Sequence, residues 1–301
     1  MVRHLLSMLD VRDDLMEILE LAEDMKRNGH DELLKNKSLA MIFEKPSTRT
    51  RLSFEVAMTQ LGGHAIFLSP RDMQLGRGET IADTARVLSR YVDGIIYRAF
   101  DHRMVRELAS HSTVPVINAL DDKEHPCQII ADLLTIKEKK GDFKGLKVAY
   151  VGDGNNVANS LMLGCAMVGC EFWIACPEGY EPDKELTEEA IKISLQSGAK
   201  INIVRDPIEA VKDADVVYTD VWVSMGDEAE KEVRERIFRK YQVNSELVKY
   251  AKRDYIFMHC LPAHRGYEVT DDVIDSENSV VWDEAENRLH AQKAILVKLM
   301  L

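Results

Sequence analysis

Apolar and polar positions along the chain follow two alternating rhythms. Compact runs rich in Val, Ile, Ala and Tyr predict strands at 38–43, 64–68, 93–97 and 114–117, then at 146–151, 171–176, 201–204, 215–219, 254–259 and 279–282. Between them, apolar residues three and four apart predict helices near 11–27, 50–61, 79–91, 101–110, 126–140, 156–168, 184–197, 207–212, 228–240, 244–251 and 285–300. Leu15, Ile18, Leu19 and Ala22 form the buried stripe of the first helix, with Asp10 placed to cap it. This alternation predicts an α/β fold of two doubly wound parallel-sheet domains with helices on both faces. Gly141-Asp142-Phe143-Lys144-Gly145 marks a boundary, giving domains 1–140 and 141–284, and the last helix, 285–301, is expected to pack back on the first domain.

Open parallel sheets bind ligands beyond the carboxyl ends of their strands, so the residues after each run are where chemistry is sought. Ser47-Thr48-Arg49-Thr50-Arg51 follows the first run and precedes Phe54, Ala57, Met58 and Leu61 at helical spacing. Three hydroxyls and two guanidiniums thus fall on a helix start, where unpaired N–H groups and a partial positive charge favour a phosphate-like dianion. Capping alone needs one hydroxyl. Gln74, Arg77 and Glu79 follow the second run, Arg98 the third, and Asn118 with His125-Pro126-Cys127-Gln128 the fourth. In the second half, Asn155 and Asn156, then Asp220, Ser224, Met225 and Gly226, then Cys260-Leu261-Pro262 occupy the same kind of position.

Composition narrows the classes. The net charge of −12 repels polyanions at long range, so an anionic substrate must be met by local arginines. No apolar stretch is long enough to span a bilayer, and the N-terminus lacks a sustained apolar signal segment. Five widely spread cysteines do not suggest a disulfide framework, and a reducing, cytoplasmic location is expected.

Together these segments resemble the aspartate/ornithine carbamoyltransferase family over essentially the whole chain. Ser47–Arg51 is similar to its carbamoyl-phosphate signature, and His125-Pro126-Cys127-Gln128 to the version in its ornithine-using members. Asp220 with Ser224-Met225-Gly226 resembles the ornithine loop, and His259-Cys260-Leu261-Pro262 the second ornithine signature. The resemblance implies transfer of the carbamoyl group of carbamoyl phosphate to the δ-amine of L-ornithine, giving L-citrulline and phosphate in arginine biosynthesis. It also implies no metal or organic cofactor and a homotrimer or an assembly of trimers, with the loop matching Gln74 reaching a neighbouring subunit. A sibling acting on putrescine, aspartate or an acylated ornithine is the alternative.

By that resemblance, Ser47, Thr48, Arg49, Thr50 and Gln74 hold the phosphate. Thr50, Arg98 and His125 face the carbonyl oxygen, and Gln128 binds the carbamoyl amine. Arg288 closes over the donor. Asn156, Asp220, Ser224 and Met225 clamp ornithine. Asp220, Cys260 and the Leu261 carbonyl surround the δ-amine where it meets the carbamoyl group, and Leu261–Pro262 is a candidate cis peptide. Arg51 is expected to brace its loop, and Cys127 to pack.

Two rival patterns are weaker. Gly152-Asp153-Gly154-Asn155-Asn156-Val157 follows a strand and opens a helix as a dinucleotide fingerprint would, but has Val157 at the third small position. His259, Cys260, His264 and His290 fit no zinc spacing. A binding-only relative would have lost a catalytic residue, and none of those named is missing.

Overall fold

A computed structural model describes residues 2–75, 78–223 and 228–301, and they divide into two compact units. Unit 1 comprises Met1–Leu134 with Glu286–Leu301, and unit 2 comprises Thr135–Ala285. The first division falls at Leu134/Thr135, inside a helix, rather than at the glycine-flanked turn 141–145.

Unit 1 holds four parallel strands in the order β2-β1-β3-β4: β1 (Ser38–Phe43), β2 (His64–Leu68), β3 (Gly94–Arg98) and β4 (Val116–Leu120). Ser38 is paired with His64, and Leu39 with Gly94. The connecting helices are α2 (Thr48–Gln60), α3 (Ile81–Leu88) and α4 (His102–His111). The chain steps one way from β1 to β2 and back the other way to β3 and β4. Right-handed crossovers then put α2 on one face and α3 with α4 on the other. Central β1 and β3 are buried almost throughout, which explains their continuous apolar reading.

Two corrections concern the N-terminal region. Asp10 does not cap α1 (Leu15–Asn28); it closes a capping box on a 3-10 turn, Met8–Val11, accepting from the N–H groups of Leu6 and Ser7. The predicted stripe on α1 is buried, with Met25 added to it. β4 starts at Val116, two residues later than predicted, because the chain before it bends at Thr113 and Val114, held by the Ser112 hydroxyl.

Unit 2 holds five parallel strands in the order β7-β6-β5-β8-β9: β5 (Lys147–Val151), β6 (Glu171–Ala175), β7 (Lys200–Val204), β8 (Val216–Tyr218) and β9 (Ile256–Met258). Its helices are α6 (Asn156–Val168), α7 (Lys184–Ser197), α8 (Pro207–Val211), α9 (Lys231–Phe238), α10 (Ser245–Val248) and α11 (Asp271–Ile274). Helix α5 (Pro126–Lys140) leads in from unit 1, and α12 (Val281–Met300) leads back.

The run 279–282 is not a strand. Ser279 makes one isolated parallel bridge to Phe257, and α12 begins at Val281. Asp283 and Glu284 in the first turn favour a helix start there, so the apolar pair Val280-Val281 is buried at the helix entrance instead. The predicted helix 228–240 is broken into a 3-10 turn, α9 and a second 3-10 turn. The C-terminal part of α12 belongs to unit 1, where Lys298 pairs with Glu17 and Lys26 donates to Asn287.

Candidate functional site

Each sheet has one point where strand order reverses, between β1 and β3 in unit 1 and between β5 and β8 in unit 2. Crevices open at such points, beyond the carboxyl ends of the strands.

At the first, Ser47 is extended (φ −161°) and caps α2, its hydroxyl accepting from the Thr50 N–H at 3.2 Å. Thr50 is buried, and its hydroxyl oxygen accepts from Arg288 at 3.1 Å. Arg288 also donates to the Gln128 amide oxygen, while the Gln128 nitrogen donates to buried Asp132 at 2.8 Å. Arg98 ends β3 where the register slips between Tyr97 and Arg98, a bulge that re-aims the strand end. Arg98, His125, Gln128 and Arg288 are all at most 4% exposed.

Burial, then the charges of Arg288, Arg98 and Arg49, hold His125 well below the usual histidine range. His125 is therefore a neutral imidazole among three guanidiniums. Ser47 and Arg49 are half-buried at the edge of this cluster, and Thr48 is exposed.

The loop carrying His125 is anchored from below. The buried carboxylate of Asp121 accepts from His102, from the Asn118 amide and from the N–H groups of Lys123 and Glu124. Cys127 packs: its thiol donates to the Asn118 carbonyl at 3.4 Å, and burial pushes it up to about 12.

Arg51 lies outside the buried cluster. Its guanidinium sits 3.7 Å from the centre of the Phe67 ring on β2 and is bonded to Glu55 of its own helix at 3.3 Å. A cavity of about 710 Å³ opens beside it, lined among others by Ser47, Thr48, Arg51, Glu55 and Arg71. Gln74 is exposed on the loop after β2 and is not gathered into the buried cluster.

At the second switch point, Asp220 follows β8 and is 6% exposed. Its two oxygens accept from the Asn155 amide at 2.8 Å and the Cys260 thiol at 3.2 Å. Asn156 is half-buried at the start of α6. Ser224, Met225 and Gly226, like Arg77 in the loop after β2, lie outside the described residues.

After β9 the backbone is fixed by buried groups. His259 donates its N–H to Glu284 at 2.9 Å, accepts from the Leu261 N–H at 2.9 Å through Nδ1, and donates to Glu268 at 3.2 Å through Nε2. Leu261 has φ +58°, and Leu261–Pro262 is cis. Donor atoms of Asp220, His259 and Cys260 lie within 4.8 Å of one another, yet both ring nitrogens of His259 are engaged in hydrogen bonds.

The glycine turn before α6 is crossed by the chain itself. Gly154 donates to the Tyr180 carbonyl at 2.9 Å, and a Cβ on Gly154 would lie 2.2 Å from the Pro182 nitrogen.

Sequence reasoning assigned no role to Asn155, Asp121, Glu268 or Glu284. Only Asn155 carried a local signal, as an asparagine placed to cap a helix directly after a glycine turn.

Comparison with known proteins bears on both halves. Residues 3–138 match the carbamoyl-P binding domain of aspartate/ornithine carbamoyltransferase, and residues 144–299 match its Asp/Orn binding domain. The chain is 61% identical over 300 residues to a catabolic ornithine carbamoyltransferase of Thermoplasma volcanium, covering 99% of this chain and 98% of that one. It is 61% identical over 303 residues to the anabolic ornithine carbamoyltransferase of Pyrococcus furiosus, covering 99% and 96%. Among solved structures, the Pyrococcus furiosus ornithine carbamoyltransferase superposes with a TM-score of 0.95 at 60% identity, covering 99% of this chain and 97% of that one. The anabolic ornithine carbamoyltransferase of Campylobacter jejuni superposes with a TM-score of 0.94 at 44% identity, covering 99% of each.

Proposed function

Because the chain belongs to the aspartate/ornithine carbamoyltransferase family, we propose that it transfers the carbamoyl group of carbamoyl phosphate to the δ-amine of L-ornithine, yielding L-citrulline and phosphate. The observation that carries this reading is the neutral His125 set among Arg49, Arg98 and Arg288 beside the start of α2. Such a site stabilises both a leaving dianion and an oxyanion.

In this reading unit 1 takes the donor. Ser47, Thr48, Arg49 and Thr50 hold the phosphate, with Gln74 supplied across a subunit border in a trimer. Charge-assisted hydrogen bonds contribute roughly 1.5–3 kcal/mol each, enough for several to overcome the screened repulsion of a net charge of −12. Thr50, Arg98 and His125 donate to the carbonyl oxygen as it gains charge. A neutral imidazole N–H serves there without needing to be protonated. Gln128 orients the carbamoyl amine, and Arg288, tied to Thr50 and Gln128, holds both in place.

Unit 2 takes the acceptor. Asn156, Asp220, Ser224 and Met225 clamp ornithine; Cys260 and the Leu261 carbonyl join Asp220 at the amine and the carbamoyl group. Neutralising an alkylamine at pH 7 costs about 4–5 kcal/mol. Asp220 orients the amine and passes on its proton. The nitrogen then attacks the carbonyl carbon, the bond from that carbon to the phosphate oxygen breaks, and the departing phosphate is the final proton acceptor.

Carbamoyl phosphate is a mixed anhydride, so transfer to an amine runs downhill towards citrulline; the proposed role in arginine biosynthesis draws its support from the likeness to the anabolic enzyme of Pyrococcus furiosus. Five cysteines outside any disulfide suit a reducing cytoplasm, and no helix among the described residues is long and apolar enough to cross a membrane.

The test is a colour assay for the carbamoylated product with ornithine, putrescine and aspartate side by side, without added metal. Turnover with ornithine alone is expected. Turnover only with another amine would pass the assignment to a sibling enzyme, and none with any amine would refute catalysis.

A further inference from the structure

Asn155 makes five contacts of fixed polarity. Its side-chain oxygen accepts from the N–H groups of Val157 and Ala158, both at 3.1 Å, and from the Tyr150 hydroxyl at 3.2 Å. Its amide nitrogen donates to Asp220 at 2.8 Å. Its own carbonyl accepts from the N–H of Asn159, as the first bond of α6. Backbone N–H groups can only donate, so the amide cannot flip: its nitrogen must face Asp220. The Tyr150 hydroxyl is kept protonated by burial, then by the charges of Asp220 and Asp153, so it too remains a donor.

We propose that Asn155 is a positioning residue for carbamoyl transfer, an amide locked by the α6 cap so that Asp220 is held as an acceptor with its second oxygen turned to Cys260. Helix capping and catalytic orientation are then performed by opposite ends of one side chain. The lock rests on the reading of Asp220 as the residue that orients the δ-amine. The ionisable groups around Asp220 and Tyr150 are Asp153, already paired with Arg234, Cys176 after β6, and His259 and Cys260 after β9.

Asn155→Asp separates the two roles. It keeps an oxygen for the Val157 and Ala158 N–H groups, so the cap survives. It also sets a second carboxylate against Asp220, and two like charges so close share a proton. The expected result is a near-native melting temperature, unchanged carbamoyl-phosphate affinity, and kcat with ornithine lower by roughly 10- to 100-fold, the worth of one hydrogen bond to a charged group. The acidic limb of the kcat profile should move to higher pH. Native kcat with an unmoved limb would overturn the lock.

Should Asn155→Asp not fold, Asn155→Ser retains a capping hydroxyl without the donor. A kcat loss of similar size supports the lock, and native kcat overturns it. Wild-type protein that makes no citrulline would refute the substrate reading only. The lock is then decided by carbon-13 titration of the Asp220 carboxyl, where coupled titration in Asn155→Asp supports it and superimposable curves overturn it.

Discussion

Ser47 has two jobs that single substitutions can pull apart. Its hydroxyl caps α2 through the Thr50 N–H, and it stands at the mouth of the proposed phosphate site. Ser47→Ala removes the cap, which costs about 1 kcal/mol, or roughly 2–4 °C in melting temperature for a chain of this size. It also removes one donor to the phosphate, for a loss of about tenfold in affinity. Ser47→Asp behaves differently. Aspartate caps as well as serine, and its charge gains about 0.3–1 kcal/mol from the helix dipole. Against a bound dianion the same charge is repulsive. Two unit charges about 4 Å apart repel by about 4 kcal/mol at an effective dielectric of 20; halving that for the half-buried setting still weakens binding about 30-fold. Stability should therefore rank Asp at or above Ser and both above Ala, while affinity ranks Ser above Ala above Asp. Thermal melting and calorimetry with a non-hydrolysable phosphonate analogue read the two orders. An Asp variant that binds the phosphonate as tightly as the Ala variant would refute the placement of phosphate at this helix start.

Two further outcomes follow from the same unit. His102 is raised above the usual histidine range, first by its hydrogen bond to Asp121, so its contribution to stability is complete below about pH 6.5 and is lost as pH rises through the folded value; denaturant titrations should show His102→Gln costing more stability at acidic than at alkaline pH, and an equal cost at both would refute the ion pair. Arg51→Ala removes the stack on Phe67, an exposed-site cation–π contact worth about 0.5–1 kcal/mol, so stability should fall with carbamoyl-phosphate affinity nearly intact, and an affinity loss as large as that of Arg49→Ala would make Arg51 a direct ligand.

Element limits were most readable where turn or cap residues stand on both sides of a run. Helices α5, α6 and α7 and strand β2 have the predicted limits because turns or caps flank them on both sides. The run 279–282 misled because β-branched composition says that a segment is buried, not by what: Val281 is buried as a helix start. Asp10 misled because a capping residue announces a turn without specifying whether it is 3-10 or α. Strand-end position singled out Ser47, Arg98 and His125 in unit 1 and Asp220 in unit 2, since parallel topology delivers such residues to the carboxyl edge of each sheet. Asp121, Glu268 and Glu284 were illegible because their partners are distant in sequence or are backbone groups, and no local pattern announces a buried acceptor.

The glycine turn ahead of α6 spells most of a nucleotide-binding fingerprint, but the passage of residues 180–182 over Gly154 leaves its amide already satisfied. The Gly154 N–H is therefore not available to a pyrophosphate, and the backbone at Glu181 and Pro182 fills the space beside it. A turn whose sequence invites a nucleotide phosphate is thus closed at Gly154 by the chain's own backbone, so the same glycine that carries the fingerprint is the one the fold has already spent.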